Sequence, residues 1–596
     1  MELLNLDGVI EKGVFEIPSY QRGYAWQKEQ LEDFWNDLEH VSKLGDKFHC
    51  MHSLTLRESE NEFESSAFEI IDGQQRLATS LILLGLLAKI TQHKDPKYDS
   101  MNLEPVLSYK YYGLSEAFRA ITEEEKDLER FQTSFYAKNL IDAHAFFKEK
   151  ISDTPMETLK KMFDALTKKM LFSVVELNDN RIDPFSSFET INNRGKDLST
   201  LELFKNRLHF VAHKICDGKK LETLQQEINK TYTIVYYDLR SFEDDDLERF
   251  LKHFVAYYYG ENSKFKERLL NTAFDAHKKY DDLYDESEKI NDLLFYLSYS
   301  SKVWNFLHTL DDEELRIEIT PKMRSLLDKM RCLNALSNNA FLPLLLSLLT
   351  IQLAVRSGSE RHYTTQELEG LLEYLERFGF LIYGVAGKDT AKNEWIGLAF
   401  KAIQACRFWK DKITIEDLPT LEKNFFKGEH SGLELLEEYI HSKKNTEKWY
   451  QWGKALNYLL YEYELYHNPE TTLNFDSSIE SIEHILPQKP DQGYSAKEKD
   501  WAKNPHIVHA LGNLLLIAKN ANSSLSNKPF EEKRKAYLKG SYSEKEVAKN
   551  ASFGVVQIKE RNEKLLDFLI ARYRIAELVG ESAIKAFKNA LLKEIK

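Results

Sequence analysis

The hydrophobic pattern of this 596-residue chain changes character along its length. Over residues 1–215 short apolar runs alternate with helical stretches. FEII (Phe68 to Ile71) is a compact run that meets the turn DGQQR and then the long apolar segment LATSLILLGLLAKI. Such a run bounded by turn residues predicts a strand, and the segment after it a buried helix. MLFSVVEL, Met170 to Leu177, is β-branched and ends in the polar NDNRIDP, which predicts another strand. A charged helical insert, about 114–168, lies between them.

Residues 216–440 show only helical periodicity, as in DDLERFLKHFVAYYY and ELEGLLEYLERFGFLIY, with no fixed repeat. That predicts an irregular helical domain rather than a solenoid. A polar connection, NPETTLNFDSS (468–478), precedes the next motif cluster. The last domain is drawn as 441–596, to include the Trp- and Tyr-rich helix around 447–466. The expected fold is mainly α and multidomain, with an α/β module at the start.

Composition changes this picture in few places. Hydrophobic residues make up 42% and charged residues 30%, the balance of a soluble globular chain. The longest apolar stretch, Phe341 to Val355, contains Pro, Ser, Thr and Gln and falls short of the roughly 20 residues a bilayer requires. The N-terminus lacks the basic start and cleavage site of a signal peptide. Four scattered cysteines with no metal-ligand spacing predict a reduced, cytoplasmic protein with buried thiols. The net charge of −14 argues against nucleic acid until it is divided. Residues 501–596 hold 18 Lys+Arg against 10 Asp+Glu, a basic end on an acidic body. Such an end meets phosphates or is a solvated helical surface, and charge alone does not separate the two.

Three polar motifs interrupt the apolar context of the first domain: IPSYQRGYAW (Ile17 to Trp26), IDGQQR (Ile71 to Arg76) and FETINNRGKDLSTLELFKN (Phe188 to Asn206). DGQQR falls at a strand-to-helix junction, where free backbone N–H groups and the helix dipole favour an anion. Gly73 permits close approach, Arg76 can fork onto phosphate oxygens, and Asp72 can hold a cation or orient water. In INNRG, Asn193 and Gly195 suit left-handed backbone, and Arg194 or Lys196 brings positive charge. Taken singly, each motif is equally a hydrogen-bonded turn, with Asp197 or Ser199 capping the next helix. No Walker A loop occurs.

The second cluster is IEHILPQ followed by LGNLLLIAKNANSSLSNKPFEEKRKAY. A strand with His484, a second apolar strand opened by Gly512 and Asn513, and a polar NANSSLSN segment leading into a basic helix form a ββα-metal pattern. Phosphodiester hydrolysis requires a base to activate water, and imidazole has a suitable pKa. It also requires a cation for the developing charge, and an Asn carbonyl to orient the imidazole completes the set. Oxygen ligands with one imidazole suit Mg²⁺ or Mn²⁺ better than Zn²⁺.

In this order the motifs resemble those of the GmrSD-like type IV, modification-dependent restriction endonucleases. The resemblance implies a ParB-like or sulfiredoxin-like module that binds and hydrolyses a nucleoside triphosphate, a helical middle, and an HNH-like (His-Me finger) nuclease. It assigns nucleotide binding to Tyr20, Gln21, Arg22, Asp72, Gly73, Gln74, Gln75, Arg76, Asn192, Arg194, Gly195, Lys205 and Asn206, with Asp72 also catalytic. In the nuclease it makes His484 the general base, Asn513 its orienting residue, and Glu483 with Asn522 the metal ligands. Lys528, Lys533 and Arg534 would meet the DNA backbone. One departure stands out: relatives often carry a glycine in the strand after the first helix, where this chain has His52 in FHCMHSLTL.

The resemblance implies an NTP-regulated endonuclease cutting modified double-stranded foreign DNA, with a possible homodimer and no membrane partner. A ParB-like DNA-binding switch without nuclease activity, a phosphorothioate-sensing nickase and an RNA-directed toxin are the alternatives. The full set His484, Asn513 and Asn522 speaks against the switch, which would not need it.

Overall fold

A computed structural model describes residues 2–59, 67–91, 106–110, 113–123, 125–177, 198–261, 263–275, 278, 283–311, 313, 315, 317–355, 362–408, 410–425, 448–473, 480–490 and 493–595. The chain forms two compact units, Met1–Leu315 and Arg316–Lys596. The helical stretch expected as a domain at 216–440 is divided between them. No helix among the described residues is long and apolar enough to cross a membrane.

The first unit is built on a mixed six-stranded sheet, in the order β1-β6-β3-β4-β2-β5. The strands are β1 (Glu2–Asn5), β2 (Val14–Ile17), β3 (His49–Glu58), β4 (Ala67–Asp72), β5 (Leu107–Tyr109) and β6 (Met170–Glu176). Both strands read from the sequence are present, as β4 and β6. Central β3 pairs parallel with β6 and antiparallel with β4. It carries a register shift between Cys50 and Ser53, inside which His52 has φ 62°.

β4 runs through Gly73 into helix α1 (Gln74–Ile90), which is buried on nearly every face, its polar Gln74, Gln75, Thr79 and Ser80 included. That explains why LATSLILLGLLAKI shows no polar stripe: the sheet is not its only neighbour. Helices α2 (Phe135–Ser152) and α3 (Met156–Lys168), from the charged insert, pack on α1 and close the core. Each fully buried Leu or Ile there stabilises by roughly 1.5–3 kcal/mol before entropy is counted. Helix α4 (Thr200–Ile215) starts at Ser199, whose hydroxyl accepts from the Glu202 N–H while the Glu202 carboxylate accepts from the Ser199 N–H. This is the expected helix cap.

Among its described residues the second unit is helical apart from one antiparallel pair, β7 (Glu480–His484) with β8 (Leu514–Ala518), in register from Glu480↔Ala518 to His484↔Leu514. β8 is covered on both faces, which is why it reads LLLIA rather than alternating. Around the pair lie helices α5 (Lys454–His467), α6 (Lys519–Leu525), α7 (Phe530–Tyr537), α8 (Tyr542–Ala548) and α9 (Val555–Arg572). Ile485, Leu486, Ile507, Leu515, Ile517, Tyr537 and Ile558 form the core. The polar NANSSLSN segment is largely helix α6. Tertiary bonds override its turn-forming residues, for Asn522 Nδ2 donates to Ser481 Oγ (2.8 Å) and Ile482 O (3.1 Å) of β7. The thiols also depart from expectation: Cys332 and Cys406 are buried, Cys216 is half-buried and Cys50 is exposed on β3.

Candidate nucleotide and nuclease sites

In the first unit the loop after β2 is held by the other two motifs. Gln75 clamps it from α1, its Oε1 accepting from Ala25 N (2.8 Å) and its Nε2 donating to Gly23 O (2.9 Å). Gln21 Nε2 donates to Ile70 O on β4, and Lys205 Nζ on α4 donates to Ser19 O. Tyr24 OH bonds Thr79 Oγ1 at 2.6 Å. Thus YQR, DGQQR and the FKN end of the third motif meet in one place. Asn192, Arg194 and Gly195 lie outside the described residues.

What a ligand would meet there is more limited than the motif list. Gly73 sits at φ 99° with no side chain capping α1, and a Cβ at this position would lie 2.9 Å from Ser53 O. Only glycine permits this close, left-handed entry, which leaves the first-turn N–H groups of α1 without a side-chain cap. Asp72 Oδ2 accepts from Ser53 Oγ (2.9 Å) and Arg76 (3.1 Å), so the two expected phosphate-site residues bind each other, each with about a fifth of its side chain exposed. Gln21 Oε1 and Gln74 Oε1 are buried without a hydrogen-bond partner. Arg22 is buried, and Tyr20 packs against Leu198 and Phe210. Asn206 is fully buried. Lys205 lies 5.6 Å from the Tyr232 ring and 5.9 Å from that of Tyr236, and burial pushes its pKa well below the ordinary lysine value.

In the second unit Gly512 and Asn513 fix the end of β7. A Cβ at Gly512 would fall 2.0 Å from Ile558 O on α9, so this helix approaches as closely as it does only because the residue is glycine. Arg561 on α9 then donates to Gly512 O (3.0 Å) and Leu514 O (2.7 Å). Asn513 does not touch the His484 ring. Its Oδ1 accepts from Leu486 N (2.8 Å), and its Nδ2 donates to Leu486 O (2.9 Å) and Val508 O (2.7 Å). The expected orienting contact is replaced by a brace on the backbone.

Lys533 corrects a second expectation. Its side chain is 0% exposed and cannot reach a DNA backbone. Nζ lies 2.5 Å from Glu483 Oε1 and also donates to His484 O (2.9 Å) and Ile485 O (3.3 Å). Tyr537 OH adds a bond to Glu483 Oε1 at 3.0 Å. Burial raises the Glu483 carboxyl and lowers the Lys533 ammonium, and their contact opposes both shifts. Arg534 Nε caps α8 at Ala548 O (2.8 Å), while Lys528 remains exposed.

This donor set is not a ready carboxylate cage for a divalent cation. Glu483 Oε1 is committed to Lys533 and Tyr537, whereas Asn522 donates its Nδ2–H to β7, a contact that does not use Oδ1, the atom that would ligate. Among the described residues no three His, Cys, Asp or Glu side chains gather as ligands.

His484 itself is buried and lies beside a residue that the sequence did not single out. Its Nε2 is 3.1 Å from His509 Nδ1, Gln488 Nε2 is 3.4 Å from both its ring nitrogens, and the Tyr450 ring lies 5.0 Å away. Burial first, then His509 and Lys533, push its pKa down to about 3. The imidazole is therefore neutral at pH 7, the form that accepts a proton. The signal for His509 was HIVHALGN, which puts a histidine four residues before Asn513.

A mixed-sheet unit with a polar strand-to-helix junction, joined in one chain to a helical unit with a buried histidine on a two-stranded sheet, defines a two-part, α-rich protein. The model of the GmrSD restriction endonuclease N-terminal domain matches residues 3–209, and that of the GmrSD C-terminal domain matches residues 436–568. The chain belongs to the GmrSD-like type IV restriction endonucleases, nucleases that act on DNA in defence. No curated protein matches it.

Proposed function

We propose that this chain is a nucleoside-triphosphate-dependent endonuclease that cuts modified foreign DNA, with a ParB-like sensor in the first unit and an HNH-like nuclease in the second. The observation that carries the nuclease half is His484, a neutral imidazole held at the end of β7 within the segment that matches the C-terminal domain. In this reading it takes the proton of the attacking water. A pKa of about 3 makes it a weak base in the free protein. A bound phosphodiester brings negative charge, which raises the pKa towards the range where base catalysis works.

For the sensor, the supporting features are the uncapped start of α1, Arg76 beside it, and the two buried amide oxygens without partners. A triphosphate with its cation gives such groups something to bind. Dependence of cleavage on Mg²⁺ or Mn²⁺ is part of the proposal. No step here uses a preformed carboxylate site, since Glu483 is occupied. Nucleotide binding is proposed to act on the nuclease by shifting an assembly equilibrium, such as that of a homodimer, through its differential affinity for the two states.

The test is cleavage of unmodified, hydroxymethylated, glucosylated and phosphorothioate DNA by the purified chain, with and without triphosphate and Mg²⁺. His484→Ala should abolish cleavage and spare nucleotide hydrolysis, and Asp72→Ala or Arg76→Ala should do the reverse to hydrolysis. Cleavage by His484→Ala within a few-fold of wild type would leave the DNA-binding switch as the better reading.

A further inference from the structure

His484 and His509 come from different segments, and one side chain braces both. Asn513 bonds Leu486, two residues after His484, and Val508, one residue before His509. Lys533 holds the His484 carbonyl from the other side. The two rings meet edge to face with centroids 5.2 Å apart, and both histidines are more than nine-tenths buried. Tyr450, 37% exposed, lies over the pair, 5.0 Å from one ring and 6.1 Å from the other. The pair is thus fixed from two sides, by Asn513 and by Lys533.

At 3.1 Å the facing nitrogens of the two imidazoles are joined by one proton, carried by one ring or the other. If His509 donates from Nδ1, His484 carries its own proton on Nδ1 and has no lone pair left to accept one. If His484 donates from Nε2, its Nδ1 lone pair is open. Only the second tautomer is a base. The Gln488 amide, 3.4 Å from both ring nitrogens, does not select between the two forms, so the choice falls to the His484–His509 contact.

We propose that His509 is a positioning residue of the nuclease reaction, accepting the Nε2–H of His484 and so fixing the tautomer whose Nδ1 takes the proton from the attacking water. This rests on the nuclease reading above. The water O–H bond breaks towards Nδ1, its oxygen bonds to phosphorus, the P–O bond to the leaving oxygen breaks, and that oxygen takes a proton from solvent. His484 becomes an imidazolium, whose Nε2–H bond to His509 is then charge-assisted and stronger.

The experiment compares full-length wild type with His509→Ala, His509→Asn and His509→Phe on glucosylated phage DNA with triphosphate and Mg²⁺. Asn places an acceptor near the Nδ1 position, whereas Phe keeps the ring without one. His509→Ala and His509→Phe should lower kcat by about 100-fold with KM within about two-fold, as loss of an orienting partner does, and His509→Asn should recover at least about ten-fold. Values of kcat within about three-fold of wild type for His509→Ala, or Phe performing as well as Asn, would overturn the proposal and leave the nuclease intact. Should wild type cut none of the DNAs, the nuclease reading fails and the tautomer still decides this one. Nitrogen-15 histidine spectra, with His484 assigned by His484→Gln, should show the Nε2–H form in wild type and His509→Asn. An Nδ1–H form in wild type would refute it whether or not DNA is cut.

Discussion

The two motif clusters use their polar residues in opposite ways. In the nuclease cluster nearly every polar group that stood out in the sequence is satisfied inside the protein: Asn513 makes three backbone bonds, Lys533 bonds Glu483 and two carbonyls, and Asn522 bonds β7 twice. In the sensor cluster Gln75 and Lys205 hold the loop, but Gln21 and Gln74 each keep a buried oxygen without a partner. The contrast separates residues that build a site from residues that wait for a ligand. Neighbours within one motif, such as Gln74 and Gln75, fall on opposite sides of it.

The largest effect that tests this contrast is at Lys533. Lys533→Ala leaves the Glu483 carboxylate buried and unpaired, and should destabilise the second unit by roughly 3–5 kcal/mol. The double change Glu483→Leu with Lys533→Met removes both charges and should recover most of that loss. Hydrogen exchange by mass spectrometry, read over β7 and α7, measures it. A Lys533→Ala chain with normal protection and a reduced salt dependence of DNA binding would restore the DNA-contact role.

That role was the natural sequence inference because KRK in a basic helix reads as a phosphate-facing surface. Periodicity revealed that α7 exists, not which of its faces is turned inward. β4, β6, α1 and the helical insert were legible because their apolar runs are long or bounded by clear turns. β1, β2 and β5, of four, four and three residues, are too short to leave a pattern and are set by their neighbours in the sheet. At the sites, His484 and the DGQQR junction were legible as residue types. His509 was not, since its meaning lies in a 3.1 Å contact with a strand 25 residues away in sequence.

Second in size is the split between Gln75 and Gln74. Gln75→Ala strips partners from Ala25 N and Gly23 O, and should cost about 2–3 kcal/mol, the penalty for buried groups left unpaired. Gln74→Leu removes an oxygen that has no partner, and should be neutral or slightly stabilising without nucleotide. It should also weaken the shift in melting temperature caused by a non-hydrolysable triphosphate. Equal losses of stability for the two variants, with unchanged nucleotide shifts, would erase the distinction between building and waiting residues.

Acid compares the two units directly. His209 and His253 in the first unit are held down to about 3 by burial, with Lys205 and His213 adding to it at His209 and Lys252, Arg249 and His308 at His253. His484 is the corresponding group in the second unit. Between pH 6.5 and about 3 the unfolded chain binds protons that the folded chain refuses, so this contribution is complete above pH 6.5 and stability falls as pH falls. At pH 5 each histidine should cost about 2 kcal/mol, so the first unit should lose about twice as much as the second from this source. Protection factors at pH 7 and pH 5, corrected for intrinsic exchange rates, give the ratio. Equal losses in wild type, unchanged by His209→Leu, would assign the acid sensitivity elsewhere.

The smallest effect lies at the departure from the family pattern. His52 stands in the bulge of β3 with φ 62°, left-handed backbone that costs a side-chain-bearing residue about 1–2 kcal/mol and glycine little. Its side chain is exposed, so a glycine there forfeits no buried packing. Glycine also carries more entropy in the unfolded chain, worth about 0.5–1 kcal/mol against it. The difference predicts that His52→Gly stabilises the first unit by about 0.5–1 kcal/mol. It also separates two meanings of the family's glycine. If relatives keep it for backbone shape alone, His52→Gly should raise the unfolding midpoint in urea and leave nucleotide affinity unchanged, since β3 already adopts the glycine conformation. If the missing Cβ instead opens the pocket, affinity should tighten, because Ser53, the next residue, holds Asp72 at 2.9 Å. A His52→Ala variant completes the comparison: it keeps the backbone penalty and removes the imidazole. Destabilisation by His52→Gly would mean that the imidazole itself supports the bulge, and the strain argument for β3 would be wrong.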